Sequence, residues 1–219
     1  MAPVTEFVLA ARKPGADLEP LYKIFATTKT AAGNQGVRAS QLHEDADKFA
    51  LFLDWDAVES HKNYQASDAY KTFMSQVIPH SAGPATVYHV ELAPFPPTVL
   101  DNAEGKGKSP VAEVLFTYFA PSADAGKNLA AAQSLVAGLT GAGFAGITGE
   151  SSLGWTVEKD IEHKGEKTRA LIVIIGWESV EAHQKARATE AYGKIIADFQ
   201  AATEDIKGVE ISHVSTKAL

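Results

Sequence analysis

The sequence predicts an α+β fold made of two β-α-β-β-α-β repeats. Three observations carry this. The stretch from Phe49 to His61, running on to Val77, recurs without a gap as Ala170 to His183, running on to Phe199. Trp55, His61 and Tyr70 each reappear 122 positions later, as Trp177, His183 and Tyr192. Strand and helix periodicities alternate in the same order on both sides of a Pro- and Gly-rich segment. A chain of 219 residues holds two units of roughly 100 residues, each large enough to bury a core. The division is 1–93 for the first repeat, 94–110 for a Pro/Gly/Lys linker and 111–219 for the second repeat.

Each element has its own signal. Val4 to Ala11 is a strand rich in Val, Phe and Leu, closed by Lys13-Pro14-Gly15. Leu18, Leu21, Tyr22 and Phe25 fall at i, i+3, i+4, i+7 and predict a helix over 18–29. Strands follow at Val37 to Glu44 and Lys48 to Trp55, the latter so uniformly apolar that it should be central. Asp56, with Glu59 three residues on, is placed to cap the next helix. Ser67 caps its second piece, in which Tyr70, Phe73, Met74 and Val77 form a buried stripe ended by Pro79. Ala85 to Leu92 completes the unit.

The second copy repeats this plan. Its strand is Val111 to Ala120 and its helix Ala125 to Leu139. A strand pair or one irregular strand spans Ile147 to Ile161. The third strand is Arg169 to Trp177, followed by a helix with the stripe Tyr192, Ile195, Ile196, Phe199, and the last strand is Val209 to Thr216. The linker is stiff where it reads Pro94-Phe-Pro-Pro97 and looser across 103–110.

The bulk numbers exclude several classes. A net charge of −7 lacks the basic footprint of a nucleic-acid binder and disfavours an anionic membrane surface. With no cysteine there is no disulfide, thiolate nucleophile or Cys-based zinc site. No apolar run approaches the ~20 residues of a membrane span, and Glu6 interrupts the N-terminal one, so a cytoplasmic protein is expected. No metal-ligand spacing, Gly-rich nucleotide motif or nucleophile elbow stands out.

A β-α-β-β-α-β unit is the ferredoxin-like arrangement, whose helices lie on one face of an antiparallel sheet. Two such sheets can cover each other's bare faces within one chain, giving an intrachain pseudo-dimer. Free sheet edges leave a further homodimer open. The pattern Trp-x-x-x-x-x-His with a following Ser/Thr-x-x-Tyr, at Trp55, His61, Ser67 and Tyr70 and again at Trp177, His183, Thr189 and Tyr192, resembles the antibiotic biosynthesis monooxygenases of the dimeric α/β-barrel superfamily. That resemblance implies a pocket for a small aromatic, hydrophobic or polyketide-like molecule. It implies cofactor-independent oxidoreductase chemistry of secondary metabolism, with no cofactor and no metal. A non-oxidative cyclase or isomerase, or a non-catalytic binding or stress protein, remains open beside it. Heme-degrading relatives use an Asn on the first strand and a His where this chain has Met74 and Ile196, so heme ligation there is not expected.

Cofactor-free oxygenation needs a base near neutral pKa and donors in a dry pocket. His61 and His183 start helices and are either bases or packing residues. His89 and His213 lie on the final strands. If their face is the bare one, both look into the barrel, with Glu91 one pleat from His89 as an orienting carboxylate. Trp55, Tyr70, Tyr88, Trp155, Trp177 and Tyr192 are the candidate substrate-binding aromatics, with core packing as the alternative for the repeated ones. A cavity containing a histidine speaks for catalysis, and a barrel filled by side chains speaks against it. His163, in a charged turn, should be exposed. Differences between the copies mark the places to look: Tyr88 against Ser212, Glu91 against Ser215, and the longer Gly149 to Lys167 segment.

Overall fold

The structure is a computed structural model that describes residues 2–102 and 108–219. The Gly/Lys part of the linker at 103–107 lies outside these residues. In the first half, strand β1 (Val4–Ala11) leads to helix α1 (Leu18–Ala26), β2 (Asn34–Gln41), β3 (Lys48–Trp55), helices α2 (Val58–Gln65) and α3 (Asp68–Val77), and β4 (Thr86–Val90). The second half runs β5 (Val111–Phe119), α4 (Ala125–Gly141), β6 (Ile147–Trp155), β7 (Ile161–His163), β8 (Glu166–Trp177), α5 (Val180–Arg187), α6 (Glu190–Ala202), β9 (Ile206–Val214) and β10 (Lys217–Ala218). The antiparallel sheets have the orders β10-β2-β3-β1-β4 and β6-β8-β5-β9, with β7 added to β8. The repeated block thus supplies the inner strands β3 and β8.

β3 and β8 are apolar along both faces because both faces are covered. Phe49, Leu51, Leu53 and Trp55 pack under the helices with Leu21, Phe25 and Val77. Ala50 and Phe52 point the other way, into a core shared with the second sheet. That inter-sheet core is filled by side chains, among them Phe7, Tyr88, Phe116, Tyr118 and Ile172. Phe7 meets Phe52 edge-on, with centroids 4.9 Å apart. The linker takes part as well. Thr98–Leu100 form a 3₁₀ turn whose Val99 and Leu100 are buried in the same core. The sequence had shown them only as spacer.

The sheets also join at their edges. Val90 bridges Thr156 and Ala93 bridges Leu153 at one seam, and Leu42 bridges Val214 at the other, where β10 also pairs with β2. Each repeat therefore covers part of the other's open edge, and the free-edge argument for a homodimer loses that part of its footing. Gly154 permits the first seam. A Cβ there would lie 1.9 Å from the carbonyl oxygen of Glu91.

Several sequence expectations shift. β2 begins three residues earlier than Val37 and ends before Glu44, which lies in the turn outside the strand. Asp56 does not cap α2. The cap position is Ala57, and the Asp56 carboxylate accepts from Ser60 Oγ instead. Ser67 does cap α3, receiving the Tyr70 N–H at 3.2 Å. His163 is buried rather than exposed, because β7 lays its ring flat on Tyr118 with centroids 3.9 Å apart.

Candidate active site

On β4, Tyr88 and Val90 face the inter-sheet core, so alternation sends His89 to the helix side. It does not look into the barrel, because the filled apolar face is the inter-sheet one. On the helix side it meets His61, carried by the first turns of α2. His61 Nδ1 and His89 Nε2 are 2.7 Å apart. His89 Nδ1 lies 2.6 Å from Glu158 Oε1, and the His89 backbone N–H donates to Glu158 Oε2 at 3.0 Å. At the other end, His61 Nε2 faces Glu6 Oε1 at 3.4 Å, while Trp55 Nε1–H donates to Glu6 Oε2 at 2.9 Å. Trp55 also stacks on the His61 ring, with centroids 5.2 Å apart. The result is a chain of groups, Glu6–His61–His89–Glu158, in which Glu6, His61 and His89 are buried.

The carboxylate orienting His89 is therefore not Glu91, which is exposed and hydrogen-bonds through its N–H to Trp155. It comes from the other repeat, just past β6. Burial alone would raise the Glu158 carboxyl, but the two hydrogen bonds from His89 outweigh it and hold the group below its ordinary value. Burial pushes Glu6 up to about 7, against the Trp55 hydrogen bond. Burial, reinforced by the charge of His89, lowers His61 to about 4.

Hydrogen-bond bookkeeping defines two arrangements of one set of protons. With Glu158 ionised, His89 donates from Nδ1. If His89 is neutral, its Nε2 accepts from His61 Nδ1–H, leaving the His61 Nε2 lone pair facing protonated Glu6 at 3.4 Å. If His89 carries the extra proton, it donates to His61 Nδ1, and His61 Nε2–H faces ionised Glu6 across the same distance. The His61–His89 and His89–Glu158 contacts are hydrogen bonds of 2.7 and 2.6 Å, while His61 Nε2 and Glu6 Oε1 stand 3.4 Å apart, so a proton crosses that last step only when the two groups draw closer.

The chain opens on a cavity of about 510 Å³, within the range of small-molecule sites. Glu6, His61, Tyr64, Tyr70 and Ser81 are its polar lining, and Val8, Phe49, Leu51, Phe73 and Met74 are among its apolar walls. It lies between sheet and helices, not between sheets. Because α3 borders a cavity, Tyr70, Phe73 and Met74 are only partly buried rather than forming the solid stripe expected.

The second repeat builds the same chain. His183 Nδ1 and His213 Nε2 are 2.7 Å apart, His213 Nδ1 is in short contact with Glu44 from the first repeat, and His183 Nε2 lies 3.3 Å from Glu113 Oε2. Trp177 Nε1–H donates to Glu113 at 3.0 Å. Burial raises Glu113 to about 7 and lowers His183 to about 3. Two features differ. Tyr192 hydroxyl lies 3.0 Å from His183 Nε2, whereas the Tyr70 hydroxyl engages Gln65 instead of His61. The cavity beside Glu113 measures only about 170 Å³, and His183 is not among its lining residues.

The structure thus brings together His61 with His89, and His183 with His213. Tyr70 and Tyr192 reach the two cavities. Trp55 and Trp177 are fully buried and hold Glu6 and Glu113. Tyr88 lies in the inter-sheet core beside Phe116 and Tyr118, away from both cavities. Trp155 packs on Phe119 beneath Arg169 and donates to the Ala125 carbonyl, so it lines neither cavity. Glu6, Glu113, Glu44 and Glu158 were missed. For the first two a signal existed: an acid at the same place in an otherwise apolar first strand of each copy.

Glu6, His61 and His89 offer ligand atoms within 4.8 Å of one another, a cluster invisible as sequence spacing because three elements supply it. The 2.7 Å N···N contact, however, is a hydrogen bond that needs a proton between the rings. A cation would have to displace that proton to bind there.

No family model and no curated protein matches the sequence. Solved structures do. The chain is similar over its full length to an anthrone oxidase-like protein, with 16% identity, a TM-score of 0.63 and 94% of that protein covered. It is similar over its full length to a candidate monooxygenase from Lactobacillus acidophilus, with 10% identity, a TM-score of 0.58 and 99% covered. A candidate monooxygenase from Fusobacterium nucleatum aligns over 99% of this chain and 94% of its own, with 12% identity and a TM-score of 0.54. The fold is the one these three structures share, with the β-α-β-β-α-β unit present twice in this chain. Among the described residues no helix is long and apolar enough to cross a membrane.

Proposed function

We propose that the larger cavity is the active site of a cofactor-independent monooxygenase acting on a neutral, fused-ring aromatic of the anthrone type. The observation that carries this is the relay ending in Glu6 and His61 on an apolar cavity of about 510 Å³. A base with a value of about 7 in a dry pocket is matched to removing a proton from an acidic carbon or phenol at neutral pH. The fold shared with an anthrone oxidase-like protein supports the substrate class.

The chemistry balances without a bound group. The Glu6–His61 end takes the proton, and the relay passes the charge to His89, where ionised Glu158 stabilises it. The carbanion transfers one electron to dioxygen, and the radical pair combines into a peroxide. The relay returns its proton to the peroxide, and loss of the second hydrogen from the same carbon releases water and leaves a carbonyl. One dioxygen is consumed, with one oxygen atom in product and one in water. The protein's part is to remove and return the proton, exclude water and hold the ring against Phe49, Phe73 and Tyr70.

The test is oxygen uptake and quinone formation from an anthrone by the purified chain in the presence of a chelator. Turnover that falls a hundredfold or more in both Glu6→Gln and His61→Asn supports the assignment. Substrate binding without oxygen uptake would overturn it, and a ring-closed or isomerised product would reassign the same base to a non-oxidative cyclase.

A further inference from the structure

The second repeat's cavity differs from the first at matched positions. Along the first strand of each repeat, Glu6, Val8 and Ala10 line one cavity, and Glu113, Leu115 and Thr117 line the other. Where the first repeat has Gln65, the second has Arg187, again 122 positions on, and Arg187 lines its cavity. At these matched positions the second repeat carries a hydroxyl and a cation where the first has Ala10 and Gln65.

Neither side chain has a hydrogen-bond or ion-pair partner among the described residues, although the Arg187 charge pulls the Glu113 carboxyl down against its burial. Thr117 is fully buried, and its Oγ1 has no hydrogen-bond partner. A buried hydroxyl left unpaired costs about 1–3 kcal/mol, a cost that a ligand able to pair with it would relieve. Arg187 is exposed at the end of α5, and among the described residues no carboxylate comes within ion-pair distance of it. Leu115, Leu135, Leu139, Ile175 and Phe199 are among the walls between. Glu113 and Thr117 are four residues apart on one strand face, about 13 Å, so the site is elongated, with its cation near the Glu113 end. At about 170 Å³ it is slightly larger than the ~150 Å³ cavity that accepts benzene.

We infer that the second repeat holds a separate binding site for a small aromatic monocarboxylic acid, its carboxylate on Arg187, its ring between the Leu and Ile walls, and a ring hydroxyl toward Thr117. Burial raises Glu113 to about 7, so about half of it is neutral at pH 7 and its opposition to such an anion weakens as the pH falls. A fused-ring substrate of the first cavity does not fit the second, so the two sites take different molecules.

The probe is 4-hydroxybenzoate, titrated calorimetrically into the full chain, with benzoate and 4-hydroxybenzyl alcohol as comparisons. We expect one site per chain, benzoate several-fold weaker, and the uncharged alcohol weaker by tenfold or more. Arg187→Gln should weaken 4-hydroxybenzoate tenfold or more. Thr117→Val, which removes an unpaired buried hydroxyl at constant shape and so keeps the fold, should erase the preference over benzoate. Absence of wild-type binding at millimolar ligand, or binding unchanged in Arg187→Gln, would overturn the inference. The readout is binding in the second repeat, so it is independent of the oxidation assay on the first.

Discussion

His89 Nδ1 lies 2.6 Å from Glu158 Oε1, and the two residues belong to different repeats. The relation is reciprocal, since His213 is held by Glu44 of the first repeat. Glu158→Gln keeps the shape but removes the charge that stabilises protonated His89. We expect oxidation at the larger cavity to fall ten- to a thousandfold, with substrate affinity nearly unchanged. Glu44→Gln, which touches only the second relay, should leave that rate within a few-fold of wild type. Steady-state kinetics on the two variants distinguish these outcomes, and equal losses in both would count against the first cavity as the site.

The pH dependence of the rate should follow the relay as a unit. Below about pH 7 Glu6 holds a proton and the chain has no room for the substrate's. Above it the chain is ready to accept one. A profile of kcat/KM should therefore rise through about pH 7, and Glu6→Gln should flatten this limb.

Stability carries a compensated signature. Glu6 is raised from 4.5 to about 7, so its contribution is present below pH 4.5 and lost as pH rises through 7. His61 is lowered from 6.5 to about 4, so its contribution is present above pH 6.5 and lost as pH falls through 4. Between pH 4.5 and 6.5 the two slopes oppose each other. Single substitutions should unmask them. Glu6→Gln should lose Tm on acidification from 6.5 to 4.5, and His61→Gln should lose Tm as pH rises from 4.5 to 7, each by up to about 3 kcal/mol of stability. Thermal unfolding across this range measures both.

The seam at Gly154 has no tolerance. A methyl group there collides with the Glu91 carbonyl at 1.9 Å, and what it meets is backbone that cannot swing away as a flexible side chain could. Gly154→Ala should cost roughly 2–4 kcal/mol in chemical denaturation. Because the clash parts β4 from β6 beside Glu158, it should also lower the rate at the larger cavity.

Asp54 is the other sensitive position. It accepts from Arg38 at 2.6 Å and from Thr5 at 2.8 Å, all three buried. Asp54→Ala strands the guanidinium. Asp101, at 2.5 Å and partly exposed, retains some of the pairing, so the loss should sit near the lower end of the usual 3–5 kcal/mol.

The architecture was legible because one folding unit is written twice. Trp55 to Tyr70 and Trp177 to Tyr192 repeat in register, and alternation on β4 separated Tyr88 from His89 correctly. Which face was which was not legible, because both faces of the sheet are covered and periodicity alone does not label them. The relay was half legible. Histidines announce themselves, but Glu158 is 69 positions from His89 and Glu44 is 169 from His213, and only the seams bring them together. The segment from Gly149 to Lys167 supplies Glu158, while its Trp155 packs on Phe119 instead of lining either cavity. The differences that separate the cavities, Ala10 against Thr117 and Gln65 against Arg187, are too modest to stand out before the walls are known.

The exchange of carboxylates across the seams also bears on how such a chain can change over generations. In a pair of identical subunits every substitution appears twice, and both pockets alter together. Joined as one gene, the halves are free to differ, as Arg187 in the second half differs from Gln65 at the same place in the first. Glu44 and Glu158 set its limit. Neither half can be discarded, split away or replaced by a foreign copy without disarming a histidine in the half that remains.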